Sequence, residues 1–201
     1  MRQGLAAELS DELVIMAEKD RGVRAQLSTD DPLGYERHPM MVDLCRRNAE
    51  RLNAIIDTIG WPSREVIGGA CWAPLWILLH AIASPGVMRR GLGLLRAAER
   101  CGEVAPLHVA LLEDRILTLE GKPQQYGTRV DWDDNGVLNP LPLADPDDVD
   151  VRRRAVGLGP LAEEIEAIRA EAESYGECAP VDRAAVKAAV EEWARAVGWR
   201  D

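Results

Sequence analysis

The stretch from Ile67 to Ala83 is almost continuously apolar, and it constrains the fold more than any other part of the chain. It falls just short of the roughly 20 residues that a transmembrane helix needs. It also contains Gly68-Gly69, Pro74 and His80, all of which are costly in a lipid environment. We therefore expect a buried central helix here, from about Cys71 to Ala83, in a protein that does not enter a membrane.

Helical periodicity predicts amphipathic helices on both sides of this stretch. Their predicted ranges are 5–24, 41–59, 85–100 and 107–119, followed by a short helix ending at Gly157 and by helices with apolar stripes over 161–168 and 186–197. The Pro, Gly and Asp residues within 28–39 predict a loop. Asn135-Gly136 lies between two short segments and predicts one β-hairpin near 125–141.

The predicted fold class is therefore mostly α. We expect a compact helical bundle around the buried central helix, with the small hairpin inserted into it. Residues 1–172 would form this single domain, and residues 173–201 a linker and an amphipathic helix appended to it. That last helix would meet its own chain or a second copy, so a homodimer through it is a hypothesis.

Composition limits the classes of partner, cofactor and cellular compartment that we expect for this chain. The formal net charge of −10 argues against nucleic acid as the main partner, because phosphate binding needs clustered Lys and Arg. Four scattered cysteines without paired spacing favour reduced thiols in the cytoplasm. The three histidines are too far apart in sequence to predict a metal site, and the chain contains none of the standard cofactor-binding motifs. No cofactor is predicted.

The segment from Glu113 to Thr128 is unusually rich in side chains that form hydrogen bonds. If it packs against the helix that carries His80, a small-molecule pocket results: apolar walls with a few placed polar groups. His80 would move a proton and Asp114 would orient it. The predicted substrate-binding residues are Arg115, Gln124, Tyr126, Thr128, Arg129, Trp72 and Trp76.

Each of these residues also has a structural interpretation, which the sequence leaves open. His80 could be a core histidine, and Asp114 could form an ion pair with Arg115. The polar residues of 124–128 could cap helix ends. Trp72 and Trp76, one helical turn apart, could be ordinary core residues.

The order of several short motifs resembles an uncharacterised bacterial family of unknown function. The motifs present in this chain are Gly60-Trp61-Pro62, Val66-x-Gly68, His80-Ala81, Asp114-Arg115 and Gln124-x-Tyr126-Gly127-Thr128. The resemblance extends from about Leu9 to Ile168. The family pattern has Gln, Asp and Gln where this chain has Leu79, Ile82 and Arg129. The resemblance implies a fold group, and it implies no activity.

Two functions follow as hypotheses. One is a small-molecule-binding protein that acts as a cofactor-independent acid–base enzyme, through hydrolysis, isomerisation, cyclisation or elimination. The retained His80, Asp114 and Tyr126 favour it. The other is a non-catalytic protein-binding module, such as an immunity, regulatory or assembly factor. The apolar residues at 79 and 82 favour that alternative.

Overall fold

The structure is a computed structural model that describes residues 2–27 and 38–201, with side chains from Gly4 onward. It is mostly α-helical with one two-stranded antiparallel hairpin, which confirms the predicted fold class. Residues 28–37 of the predicted loop lie outside the described residues. The chain divides into two compact units, Met1–His108 and Val109–Asp201.

The helices of the first unit follow the predicted order. They are α1 (Arg2–Gln26), α2 (Pro39–Ile59), α3 (Arg64–Ile67), α4 (Trp72–His80) and α5 (Pro85–Arg100). The central helix, predicted from about Cys71 to Ala83, begins after a 3₁₀ turn at Gly68–Cys71, as expected, and ends earlier, at His80. Pro74 lies in the first turn of α4 and Pro85 starts α5, where a missing N–H costs little.

Helix α4 provides the centre of the first unit. It packs against α1, α2 and α5, and it buries Ala73, Pro74, Ile77 and Leu78. The contact with α5 is close because α5 has a glycine there. A Cβ on Gly91 would lie 2.5 Å from both δ-carbons of Leu78, whose own exposure is 0%. A glycine at position 91 therefore lets the two helices approach.

The second unit combines helices with the hairpin. Its elements are α6 (Pro106–Leu119, which begins in the first unit), β1 (Val130–Trp132), β2 (Leu138–Pro140), α7 (Val149–Ala155), α8 (Leu161–Ser174) and α9 (Arg183–Ala196). The strands pair from Val130 opposite Pro140 to Trp132 opposite Leu138. The Asp133 carboxylate accepts the N–H groups of Asn135 and Val137, which fixes the predicted turn.

The C-terminal segment packs onto its own unit. Ala194 and Trp199 are buried, and the Arg200 guanidinium donates to the carbonyl oxygens of Leu119 and Thr118 at the end of α6. These contacts belong to one compact unit, whereas the predicted domain boundary lies at residue 172; whether 1–172 folds as a domain stays a prediction. None of the helices in 2–27 and 38–201 has the length and apolar character to cross a membrane.

Candidate functional site

A buried carboxylate in the first unit gathers polar groups from three helices. Asp20 of α1 is 1% exposed. It accepts hydrogen bonds from Arg24 Nε at 2.6 Å, from the Trp76 indole Nε1 at 2.9 Å and from the Cys45 thiol at 3.2 Å. Since Cys45 lies on α2 and Trp76 on α4, this one carboxylate ties α1 to both neighbouring helices.

The surroundings of Asp20 keep it ionised. Burial alone would raise the pKa of its carboxyl group, because a charge is poorly solvated in the protein interior. The hydrogen bond and positive charge of Arg24 oppose that effect, helped by the donors of Trp76 and Cys45, and the pKa falls below its ordinary value of 3.8. Asp20 is therefore an ionised carboxylate inside the helical bundle, paired with Arg24.

His80 lies beside this charge at the end of α4. Its Nδ1 atom is 3.9 Å from Oδ1 of Asp20, and its side chain is 15% exposed. The imidazole also contacts the Trp76 ring, with 4.3 Å between ring centroids and 59° between ring planes. The ring is thus held by an aromatic neighbour, close to a carboxylate, and retains a small opening to solvent.

The two tryptophans of α4 differ in exposure and share one cation. Trp72 is 37% exposed, whereas Trp76 is half-buried next to His80. The Arg21 guanidinium carbon lies 5.5 Å from the ring centroid of Trp76 and 6.0 Å from that of Trp72. Trp76 is therefore part of the polar cluster, while Trp72 faces outward from it.

In the second unit, Asp114 is committed to the loop that follows α6. Its carboxylate is 0% exposed and accepts the backbone N–H groups of Gln125, Tyr126 and Thr128. It also accepts the Thr128 hydroxyl at 3.0 Å. Four donors on one carboxylate make Asp114 the organising residue of this loop.

Gln124 performs a similar task at the base of the hairpin. The fully buried side chain donates to the carbonyl oxygens of Arg129 and Leu141 and accepts the N–H of Arg129. Both amide hydrogens are therefore used on the backbone. The high density of polar groups in this segment is explained largely by the hydrogen bonds that fold it.

Glycine is required within the same motif. Gly127 has φ +72°, a conformation that side chains rarely adopt. A Cβ on it would lie 2.8 Å from Cδ1 of Leu161. Nearby, the buried Arg153 donates to the carbonyl oxygen of Tyr126 at 2.7 Å and pairs with Glu164. The Tyr-Gly-Thr sequence is thus explained by its contacts with α7 and α8.

The predicted site residues fall in both units. His80, Trp72 and Trp76 lie in the first, and the structure brings His80 and Trp76 together. Asp114, Arg115, Gln124, Tyr126, Thr128 and Arg129 lie in the second. Asp114, Gln124 and Thr128 cluster there around the loop. The prediction that Asp114 orients His80, and that both sets share a pocket, concerns the two units and stays a prediction.

The sequence reasoning missed Asp20, together with Arg24 and Cys45. Asp20 follows Leu13 and Ala17 on the buried side of α1, so a charged residue occupies a position that helical spacing assigns to the core. A buried charge needs partners, and Arg24, one turn later, was the visible candidate. The spacing could therefore have indicated this ion pair, but not the contributions of Cys45 and Trp76.

A shallow groove is present elsewhere in the second unit. It has a volume of about 240 Å³ and is lined by Trp132, Gly136, Val137, Leu138, Arg169, Ala172, Glu173 and Glu177. None of the predicted site residues lines it. Among the residues that the structure describes, no three His, Cys, Asp or Glu side chains are grouped as metal ligands would be. The absence of a cofactor stays a prediction from sequence.

Comparisons with known proteins give a family and no activity. No curated protein and no solved structure matches the chain. The profile of a family of unknown function, DUF6624, matches residues 7–178. This range contains Asp20, His80 and the complete loop organised by Asp114. The match covers most of the sequence, and the chain belongs to this family.

Proposed function

We propose that this protein binds a small polar or aromatic molecule beside His80 and acts on it by acid–base chemistry without a cofactor. The observation that carries the proposal is the 3.9 Å separation between His80 Nδ1 and the buried, ionised carboxylate of Asp20. A carboxylate in this position orients an imidazole and stabilises its protonated form. Hydrogen bonds of catalytic groups are often long in ligand-free enzymes and shorten in the complex.

The roles of the residues follow from their contacts. His80 would give or take the proton, since its ring retains contact with solvent. Asp20 would position the ring without touching the substrate, because it is 1% exposed and already has three donors. This role is the one that the sequence assigned to Asp114. Hydrolysis, isomerisation, cyclisation and elimination all fit such a pair, because each needs only proton transfer from the protein.

A second candidate is a non-catalytic protein-binding module. One observation favours it: the side chains of Asp114 and Gln124, which looked most like a site, use their hydrogen bonds to fold the chain. Such a segment would be retained for the fold alone. The acidic net charge of −10 would then suit a basic partner.

The experiment that separates these candidates uses a matched pair of histidine variants. Wild type, His80→Gln and His108→Gln are incubated with a panel of small esters, lactones, amides and hydroxy acids, and conversion is followed by proton NMR. His108 is a suitable control because it is half-buried and has no proposed role. We expect His80→Gln to lose at least about a hundredfold in rate, the usual contribution of a general acid or base.

The fold of each variant is checked by circular dichroism and thermal unfolding. Equal rates for His80→Gln and His108→Gln would exclude His80 as the proton carrier. A panel that is neither bound nor converted by wild type would favour the protein-binding module. Collapse of stability in His80→Gln alone would identify the histidine as structural.

Two further properties are part of the proposal. A cytoplasmic location is supported by four cysteines that are all free, one of them buried.

A homodimer through α9 has weaker support, because the predicted stripe of Val186, Val190, Trp193 and Val197 is already half-buried within the chain. Sedimentation at high protein concentration tests it, and a monomeric mass would exclude the dimer.

A further inference from the structure

Arg21 lies at the outer edge of the cluster around His80. It follows Asp20 directly on α1, and its guanidinium carbon lies within 6.0 Å of the ring centroids of both Trp72 and Trp76. A guanidinium over an aromatic face is attracted by the electrons of the ring, which restricts its orientation. The two tryptophans therefore hold the cation in a defined place.

Arg21 forms a solvent-exposed ion pair with Glu18. Among residues 2–27 and 38–201, its hydrogen-bond partner is Glu18, at 3.1 Å. The side chains of Arg21 and Glu18 are 54% and 53% exposed, so their ion pair contributes little. A guanidinium has five N–H donors in a planar fork, and within the described part of the chain the hydrogen bond of Arg21 to Glu18 is made by Nη1.

A continuous row of side chains connects this cation to the imidazole. Trp72, Trp76 and His80 are spaced by four residues along α4, so they lie one above another on one side of the helix. Trp76 contacts the His80 ring at 4.3 Å between centroids, and Arg21 spans Trp76 and Trp72. The row leads from the half-buried His80 to Trp72, which is 37% exposed.

We propose that Arg21 and Trp72 form the recognition end of the His80 site and select a small planar carboxylate. The carboxylate would bind the fork of Arg21, and the flat body of the molecule would lie along the tryptophan row towards His80. A fork of parallel N–H groups matches the two oxygens of a carboxylate, and the aromatic faces favour a flat partner. This inference rests on the proposed function, because it assigns the substrate class of the same site.

The test compares a planar acid with its neutral analogue. Benzoate and benzamide have similar shape, and only benzoate has the charge that Arg21 would recognise. Binding is followed through the tryptophan indole N–H resonances, with Trp76→Phe used to assign that of Trp76. We expect Arg21→Gln to weaken benzoate binding at least about tenfold, the effect of losing a charge-assisted pair, and to leave benzamide binding unchanged.

Arg47→Gln is the matched control. Arg47 is also an exposed arginine of the first unit with a nearby carboxylate partner, Asp43, and its side chain is 60% exposed. This variant should bind benzoate as wild type does. The inference is overturned if Arg21→Gln and Arg47→Gln bind benzoate equally, if benzoate and benzamide bind wild type equally, or if benzoate perturbs no indole resonance.

The His80→Gln variant keeps this inference separate from the proposed function. It should still bind benzoate, because the recognition end is intact, while losing turnover of any substrate. If Arg21→Gln weakens benzoate binding but His80→Gln leaves turnover intact, Arg21 is an anion site and the acid–base function fails. If His80→Gln abolishes turnover but Arg21→Gln does not weaken binding, the acid–base function stands and the recognition role fails.

Discussion

The Nδ1 atom of His80 lies 3.9 Å from Oδ1 of Asp20, the same oxygen that accepts the Trp76 indole N–H at 2.9 Å. A negative charge at this distance stabilises the protonated imidazole. Trp76 also contacts the imidazole in a tilted arrangement, with 59° between the ring planes. The relationship can therefore be measured in the titration of His80.

We expect Asp20→Asn to move the titration midpoint of the His80 C2–H resonance to lower pH. The amide has the shape of the carboxylate but no charge, so the protonated imidazole loses its stabilising neighbour. Proton NMR can resolve this because the chain has three histidines. Asp57→Asn, at an exposed carboxylate paired with Arg90, is the control and should leave the midpoint in place. An unchanged midpoint in Asp20→Asn would mean that the two groups do not interact.

The free energy of unfolding should decrease in acid, in part because Asp20 becomes protonated. Its folded-state pKa lies below 3.8, because Arg24, Trp76 and Cys45 outweigh the effect of burial. A depressed pKa gives a stabilisation that is complete above the unfolded-state value and is lost as the pH falls through the folded-state value. We expect the free energy of unfolding of wild type to decline below about pH 4. Urea unfolding from pH 6 to pH 2 measures it.

Asp20→Asn provides the comparison for this pH dependence. It should be less stable than wild type at neutral pH, and its stability should fall less steeply between pH 4 and pH 2. Glu12 and Glu191 also have lowered pKa values, through hydrogen bonds from Arg51 and Arg200, so some slope remains in the variant. Parallel curves for the two proteins would show that Asp20 contributes nothing to acid unfolding.

The packing of α5 on α4 predicts opposite effects for two neighbouring glycines. Gly91→Ala places a methyl group 2.5 Å from Leu78, which is fully buried and cannot move aside freely, and overpacking of this kind costs about 1–3 kcal/mol. Gly93→Ala meets no atom within 4 Å. It should stabilise the helix by up to about 1 kcal/mol, since alanine is the better helix former. Thermal unfolding of both variants measures the difference, and equal effects would contradict the close helix contact.

Asp114 should behave as a fold determinant in the second unit. Asp114→Ala leaves three partly buried backbone N–H groups without their acceptor, and we expect a loss of about 3 kcal/mol in the free energy of unfolding. Asp134→Ala is the control, because that residue is exposed in the hairpin turn. Thr128→Val removes one of the four donors and should cost about 1 kcal/mol. A loss below 1 kcal/mol in Asp114→Ala would show that the loop does not depend on it.

Local patterns predicted the elements well, and distant contacts explain what they missed. Asn135-Gly136 indicated the hairpin turn and Pro85 the start of α5, because both signals act through the backbone of the residues themselves. Asp20 was overlooked as a site residue because its partners Cys45 and Trp76 are 25 and 56 positions away. Helical periodicity can place a charged residue on a buried face, but it does not identify the distant groups that the residue contacts.

For the polar segment from Glu113 to Thr128, the sequence predicted site residues where the structure shows fold-determining ones. Its composition indicated a binding site, yet Asp114 and Gln124 use their oxygens and amide groups on nearby backbone. A loop that leaves the regular helix must satisfy its backbone N–H groups, and side chains that do so have the same chemistry as ligand-binding residues. Residue types alone therefore do not distinguish the two uses.

The bonds from Arg200 to α6 also bear on the order in which the second unit folds. They join residues 81 and 82 positions apart, so they can form only after a long loop has closed, with its entropic cost. Such non-local contacts slow folding relative to helix formation, which is local. The bonds of Arg200 should therefore form after the helices of this unit. Chain connectivity, more than helix propensity, would then set the folding rate of this unit.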